Sequence, residues 1–221
     1  MFIANRPINP DKDFFGFKLR TRARYQDDKI IRQILSGNDP YRIPENPKVV
    51  IDVGANIGCF SLLAASKGAV VYAFEPEQLN YETLCHNVEI NGFGDKIHCD
   101  NHGVGIPGKT KLYVHSKNSG ATSSYLEQRG LEADRYQEVD FISIHDVFNC
   151  YNIKHCSLLK MDCEGSERDI IRDMDDGLAS RIDQISLEFH NKGLIKELVD
   201  KLSRWYVAEN TRRYEFIFCK K

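Results

Sequence analysis

The sequence predicts an α/β protein built on a doubly wound, mostly parallel sheet that ends in an antiparallel hairpin. Three observations lead there. Beyond position 48, short apolar runs alternate with helical patterns, as parallel strands joined by crossover helices do. The first run, Lys48-Val-Val-Ile51, ends in Asp52 and passes through Gly54 and Gly58 into a small-residue helix, the opening of a nucleotide-binding βαβ unit. The last two runs, Trp205–Ala208 and Tyr214–Cys219, read as the closing hairpin.

Residues 1–47 form a preface, with prolines at 7, 10, 40, 44 and 47 and an aromatic stretch Phe14-Phe15-Gly16-Phe17. Within it Ile30, Ile31, Ile34 and Leu35 recur at helical spacing, which predicts a helix over Asp27–Leu35 closed by Gly37. That helix is a candidate lid or dimer contact. The main domain is placed at 48–221. Its opening elements are a strand at Val49–Val53, a helix from Cys59 to about Lys67 and a strand at Val70–Phe74. A helix from about Glu77 to Asn91-Gly92 and a strand near Ile97–Cys99 follow. The period then breaks into a β-rich insertion at about 101–156. It holds a turn at Pro107-Gly108, a strand near 111–115, a polar loop at 116–124, a strand near 138–142 and a helical stretch near 145–151. Alternation resumes with a strand at Leu158–Met161, a helix opening at Ser166-x-x-Asp169 like a capping box, a strand near 185–189 and a helix near 194–203.

At 221 residues the chain suits one domain, with or without a small appendage, or a domain of a longer protein. A net charge of −2 supplies no global basic field, so nucleic acid is not an expected partner. Lys18, Arg20, Arg22 and Arg24 alternate like one solvated face of a strand; the alternative is contact with an anionic substrate or a partner. Seven cysteines, an odd number without a C-x-x-C pair, give neither a disulfide framework nor a zinc site. With no apolar run long enough to span a membrane and no signal-peptide core, a reducing, cytoplasmic location without membrane contact is expected.

The turn chemistry selects among adenosine ligands. A dinucleotide fingerprint needs a bare middle glycine for its pyrophosphate, and here that place is Asn56. Asp52, expected at the mouth of the turn, repels a pyrophosphate but suits an ammonium or sulfonium. Glu75, 21 residues beyond Gly54, stands where a carboxylate takes both ribose hydroxyls. The expected cofactor is therefore S-adenosylmethionine, held by Asp52, Gly54, Ala55, Asn56, Gly58, Glu75 and Pro76; the alternatives are a dinucleotide site and a degenerate or non-binding Rossmann domain.

Blocks VIDVGANIGCFSL (50–62), FEPEQLNYETLCHNVEING (74–92), SGATSSY (119–125), LLKMDCEGSERDII (158–171) and ISLEFH (185–190) resemble, in order, the FkbM family of S-adenosylmethionine-dependent methyltransferases. The Lys-x-Asp-x-Glu-Gly run at 160–165 is the most distinctive part. The resemblance implies a class I methyltransferase, Rossmann-like seven-stranded sheet and methyl transfer to a hydroxyl, often of a sugar or polyketide. It also implies that residues 52–58 hold the methionine part, and that Asp100 and Asn101 sit near the adenine. Gly103-Val104-Gly105-Ile106 departs from the small apolar pair that usually follows the third strand.

Methyl transfer to oxygen asks the protein to align the acceptor and take its proton. Carboxyl ends of parallel strands line the crevice, which gathers Asp162, Glu164, Glu188 and His190. His190 is the leading general base, since an imidazole accepts protons at neutral pH; the alternative is a histidine bonded to backbone. Asp162 is expected to touch donor and acceptor, or else to cap the next helix or orient Lys160. Glu164 either takes part or builds the turn with Gly165 and Ser166. Lys160 steers a carboxylate or is a buried ion-pair partner. Glu188, Ser123 and Ser124 are the expected acceptor contacts; the alternative for the two serines is a solvated loop. Mg²⁺ on Asp162, Glu164, Glu188 and His190 is a less favoured alternative, and strand alternation scatters His98, Cys99, Asp100 and His102 too widely for zinc. Cys59 reads as a packing residue rather than an activated thiol. The acceptor is expected to be a glycan, sugar or small metabolite, and a homodimer is the oligomer considered. The reading from a different class is a non-catalytic cofactor-binding domain that serves assembly.

Overall fold

The computed structural model describes residues 8–23, 26–37, 41–114, 122–123, 136–189, 195–212 and 215–220. The chain opens with a small hairpin, β1 (Lys12–Phe14) and β2 (Phe17–Leu19), turned by Phe15 and Gly16 at positive φ. Helix α1 (Asp27–Leu35) follows, and buries Ile31, Ile34 and Leu35. Next come β3 (Val49–Val53), α2 (Cys59–Ser66), β4 (Val70–Phe74), α3 (Gln78–Ile90) and β5 (Ile97–Asp100). A second sheet is built from β6 (Gly103–Val104), β7 (Gly108–Val114), β8 (Thr122–Ser123) and β9 (Tyr136–Ile142), in the order β6-β9-β7-β8. The chain then returns through α4 (Ile144–Cys150), β10 (Leu158–Met161), α5 (Glu167–Asp173), α6 (Asp176–Ala179), β11 (Gln184–Glu188) and α7 (Ile195–Leu202). It ends in β12 (Tyr206–Arg212) and β13 (Glu215–Lys220).

The main sheet has seven strands in the order β12-β13-β11-β10-β3-β4-β5. Strands β11, β10, β3, β4 and β5 are parallel, β13 runs antiparallel beside β11, and β12, antiparallel to β13, forms that edge. This is the expected doubly wound sheet closed by a hairpin. Alternation along each strand divides the core between two faces. Val50, Val71, Ala73 and Leu158 pack with α1, α2 and α3. Ile51, Val53, Leu159, Met161, Ile185 and Leu187 pack with α4, α5, α6 and α7.

Several local expectations change. The helix at Ser166 does not open with a capping box: Ser166 makes no side-chain cap bond, and Glu167 instead accepts from the Cys163 and Gly165 amides at 2.9 and 2.8 Å. The capping box lies at Ser143 and Asp146, where both reciprocal bonds are 3.0 Å. Nor is the basic stretch a solvated face throughout. Arg22 is 1% exposed and paired with Asp27 at 2.6 Å, because burying a guanidinium requires a charge partner and filled donors. Arg24 lies outside the described residues. No helix among the described residues is long and apolar enough to cross a membrane.

Candidate active site

Parallel pairing of β3 with β10 sets Lys160 directly beside Asp52, and pairing of β10 with β11 sets Ser186 beside Lys160. Asp52, Lys160, Asp162 and Glu188 therefore share the sheet face that carries α1 and α2. A cavity of about 220 Å³ opens at the carboxyl ends of these strands. Gly54, Ala55, Asn56, Glu75, Pro76 and Asn80 line one part of it, and Lys160, Asp162, Cys163, Glu164, Ser166 and Glu188 another. Ile30, Gln33, Ile34 and Tyr41 close it from the N-terminal segment, and Val104, Leu112 and Phe141 from the second sheet.

The turn after β3 is held by the amides of Gly54 and Ala55, both donating to the Phe74 carbonyl at 3.0 Å. Gly54 has φ +77, and a Cβ there would stand 2.0 Å from the Asp162 carbonyl oxygen. Glycine is what lets β3 and the loop after β10 meet. Gly58 serves a different contact: it is the N-cap of α2 at φ +90, and a Cβ would reach within 2.6 Å of Leu84 Cδ1. It does not line the cavity.

Glu75 is 5% exposed and held from three sides. The Asn56 amide donates to Oε2 at 2.8 Å, and the Glu77 amide and Asn80 Nδ2 donate to Oε1 at 3.0 and 3.1 Å. Burial outweighs these bonds and pushes its pKa up to about 7. Behind it, Arg22 donates to Asn80 Oδ1 and, at 2.8 Å, to Asn56 Oδ1. The buried arginine thus braces two of the three residues that hold Glu75, Asn56 and Asn80.

Asp52 is not at the mouth of the turn. It is fully buried beneath it, with Ser61 Oγ donating to Oδ2 at 2.6 Å and Lys160 Nζ 2.9 Å from Oδ1. Lys160 also donates to the Gly54 carbonyl at 2.9 Å. Burial pulls the ammonium's pKa down, but the Asp52 and Asp162 carboxylates overcome that and hold it above the ordinary lysine value. Lys160 is an ion-pair partner under the turn.

Asp162 Oδ2 accepts from the Tyr41 hydroxyl at 2.7 Å. Glu164 sits at φ +57 and Gly165 at φ +125, so Glu164 both builds this turn and lines the cavity, in a backbone region costly for a side-chain-bearing residue. Asp100 and Asn101 do not line the cavity. Asp100 accepts from the Tyr151 hydroxyl and from the His102 amide at 3.1 Å, while Asn101 Nδ2 braces the Glu75 carbonyl at 2.8 Å. Cys59 is buried, its thiol pushed up to about 12 by burial. Ser123 belongs to β8, paired with Tyr113; Ser124 and His190 lie outside the described residues. No metal-holding group of three or more His, Cys, Asp or Glu occurs among the described residues.

Sequence reasoning missed Tyr41 and Arg22. Tyr41 had no signal beyond being an aromatic among prolines. Asp27, five residues beyond Arg22, was the available hint of an internal pair.

Among the charged side chains lining the cavity in the described residues, Glu75, Asp162, Glu164 and Glu188 are acidic and Lys160 is basic and already paired. Such a lining favours a cationic ligand. The sheet order, with a reversed strand next to one edge and a glycine turn after the central strand, is that of a class I methyltransferase fold. The chain matches the methyltransferase FkbM domain over residues 52–216 and belongs to that family. It is 29% identical over 179 residues to the 31-O-demethyl-FK506 methyltransferase FkbM of Streptomyces tacrolimicus, covering 68% of this chain and 69% of that one. Methyltransferase sdnD of Sordaria araneosa is 27% identical over 208 residues, with 80% and 79% covered. Methyltransferase 1 of Beauveria bassiana is 29% identical over 160 residues, and the match spans 63% of each. The crystal structure of methyltransferase FkbM from Methylobacillus flagellatus KT shares the fold, with a TM-score of 0.50, 16% identity, and coverage of 79% of this chain but 44% of that one.

Proposed function

We propose that this chain transfers a methyl group from S-adenosylmethionine to a hydroxyl oxygen of a sugar, glycan or small metabolite in the cytoplasm. The observation that carries the reading is one acidic cavity in which a braced, buried Glu75 faces the Gly54–Asn56 turn. The name of the Streptomyces tacrolimicus relative specifies a 31-O-demethyl substrate, which supports oxygen as the acceptor atom.

The residues fit the donor. Glu75 accepts from the ribose hydroxyls, using lone pairs that its three present donors leave available. Asp162 offers its charge to the donor's ammonium. Asp52 acts indirectly, by keeping Lys160 bound under the turn so that the ammonium does not repel a cationic ligand. When bound, the donor supplies a methyl group already activated by a sulfonium. The chain's task is to exclude water, orient the acceptor with Glu188 and take its proton with His190, the residue after the described Phe189. His190→Ala is expected to bind donor normally and lose about 100-fold or more in turnover, measured with labelled donor; unchanged turnover removes the base assignment.

Glu75 gives the reading a pH signature. Its pKa is raised, so the folded protein favours the protonated form; that stabilisation is fully present below about 4.5 and is lost as pH rises through about 7. Hydroxyl donors favour the carboxylate, so ligand binding lowers the pKa and releases a proton near pH 6.5. Calorimetry of S-adenosylhomocysteine binding in two buffers of different ionisation enthalpy should show that release. Glu75→Gln should abolish the release and weaken binding about tenfold or more. No saturable binding by the wild-type protein would sink the donor assignment.

A further inference from the structure

We propose that Tyr41 is a positioning residue of the methyl-donor site: its hydroxyl holds the Asp162 carboxylate in the cavity, where that charge receives the ammonium of the donor. The inference rests on the donor reading above and extends it to a segment that precedes the family-matched residues 52–216.

Tyr41 is 4% exposed and built into the site from three directions. Its ring meets Phe60 edge-on, with centroids 5.2 Å apart and planes at 78°. Lys160 Nζ lies 5.3 Å from the Tyr41 centroid and 5.7 Å from that of Phe60, so the two rings cover the ammonium. Gln184 Nε2 donates to the Arg42 carbonyl at 2.8 Å, which ties this stretch of backbone to β11. From that fixed ring the hydroxyl donates to Asp162 Oδ2 at 2.7 Å.

The bond decides between two uses of Asp162. Asp162 and Lys160 are two residues apart on one face of β10 and its extension, so the carboxylate has an internal cation within its electrostatic reach. A carboxylate turned onto Lys160 is spent on an ammonium that Asp52 already balances. Held by Tyr41, it presents its charge to the cavity that it lines. Burial and the Asp162 charge push the phenol well above its ordinary pKa, so the hydroxyl remains a donor across the working range.

Calorimetric titration of S-adenosylhomocysteine, which keeps the ammonium, into Y41F, D162N and the double variant tests this. Y41F keeps the ring against Phe60 and Lys160 and removes only the hydroxyl. It is expected to weaken binding about tenfold, the scale of a hydrogen bond to a charged group, with little change in melting temperature. D162N should weaken binding at least as much, and the double variant should match D162N within about twofold, because the hydroxyl acts through that carboxylate. Wild-type affinity in Y41F, wild-type affinity in D162N, or effects that multiply in the double variant overturn the role. A wild-type protein that fails to bind overturns the donor reading and this inference together; a wild-type protein that binds, beside an unaffected Y41F, overturns this inference alone.

Discussion

Lys160→Met is expected to destabilise the fold by about 3–5 kcal/mol, the scale for stranding a buried charge by removing its partner. Asp52 is fully buried, and among the described residues no hydrogen bond is directed at Oδ1; the ammonium 2.9 Å away balances it. Without Lys160, the carboxylate must take up a proton or draw water into the layer between β3, β10 and α2. The Gly54 carbonyl also loses its 2.9 Å donor, so the turn loosens from below. For a domain of this size the shift in melting temperature should be roughly 6–20 °C. Asp52→Leu combined with Lys160→Met should recover much of the loss, because an apolar pair of similar volume carries no desolvation cost. Urea denaturation decides it: a midpoint unchanged in Lys160→Met means that Asp52 is not held by this ammonium.

Gly54→Ala should have the larger effect on ligand binding. One methyl group placed 2.0 Å from the Asp162 carbonyl oxygen cannot be absorbed by a rotamer change, because the atom it meets is backbone. Either β3 and the loop after β10 separate, or the turn flips away from φ +77, a region alanine disfavours. Both movements displace the Ala55 and Asn56 amides, and Asn56 holds Glu75 Oε2. Overpacking and backbone strain together should cost about 2–4 kcal/mol of stability, and S-adenosylhomocysteine affinity should fall by about 100-fold or more. Retention of wild-type affinity in a folded Gly54→Ala protein would mean that the turn is not part of the ligand's contact surface.

What could be read from the chain, and what could not, follows from where each signal resides. Val49–Val53, Val70–Phe74 and Leu158–Met161 are visible as strands because both faces of a central parallel strand are buried, which leaves short apolar runs. The Asp27–Leu35 helix is visible because its four aliphatic positions repeat at helical spacing. The Lys12–Leu19 hairpin is not, since β1 and β2 have three residues each and little room for alternation. The distance of Glu75 from the glycine turn is enough to set it on the cavity. The sequence alone sets Asp52 at the mouth, because the lysine that draws it inward is a cross-strand neighbour from a remote segment. Arg22 looks solvated in the sequence for the same reason: Asp27, Asn80 and Asn56 fill its donors, and only one of them is nearby in the chain.

The Tyr41–Asp162 bond spans 121 positions, and the bond from Lys160 to Gly54 spans 106. Loop closure over such distances must be met before the contacts that reward it exist, so the cavity is expected to complete late in folding. During synthesis from the N-terminus, the glycine turn and the Glu75 brace emerge well before the strand that supplies Lys160 and Asp162. Until that strand arrives, Asp52 has no counter-charge beside it, and the turn above has no floor. An unfinished chain should therefore neither bind nor be stabilised by the ligand of the finished one. Ligand-dependent protection would report completion of the central sheet rather than formation of its first βαβ unit.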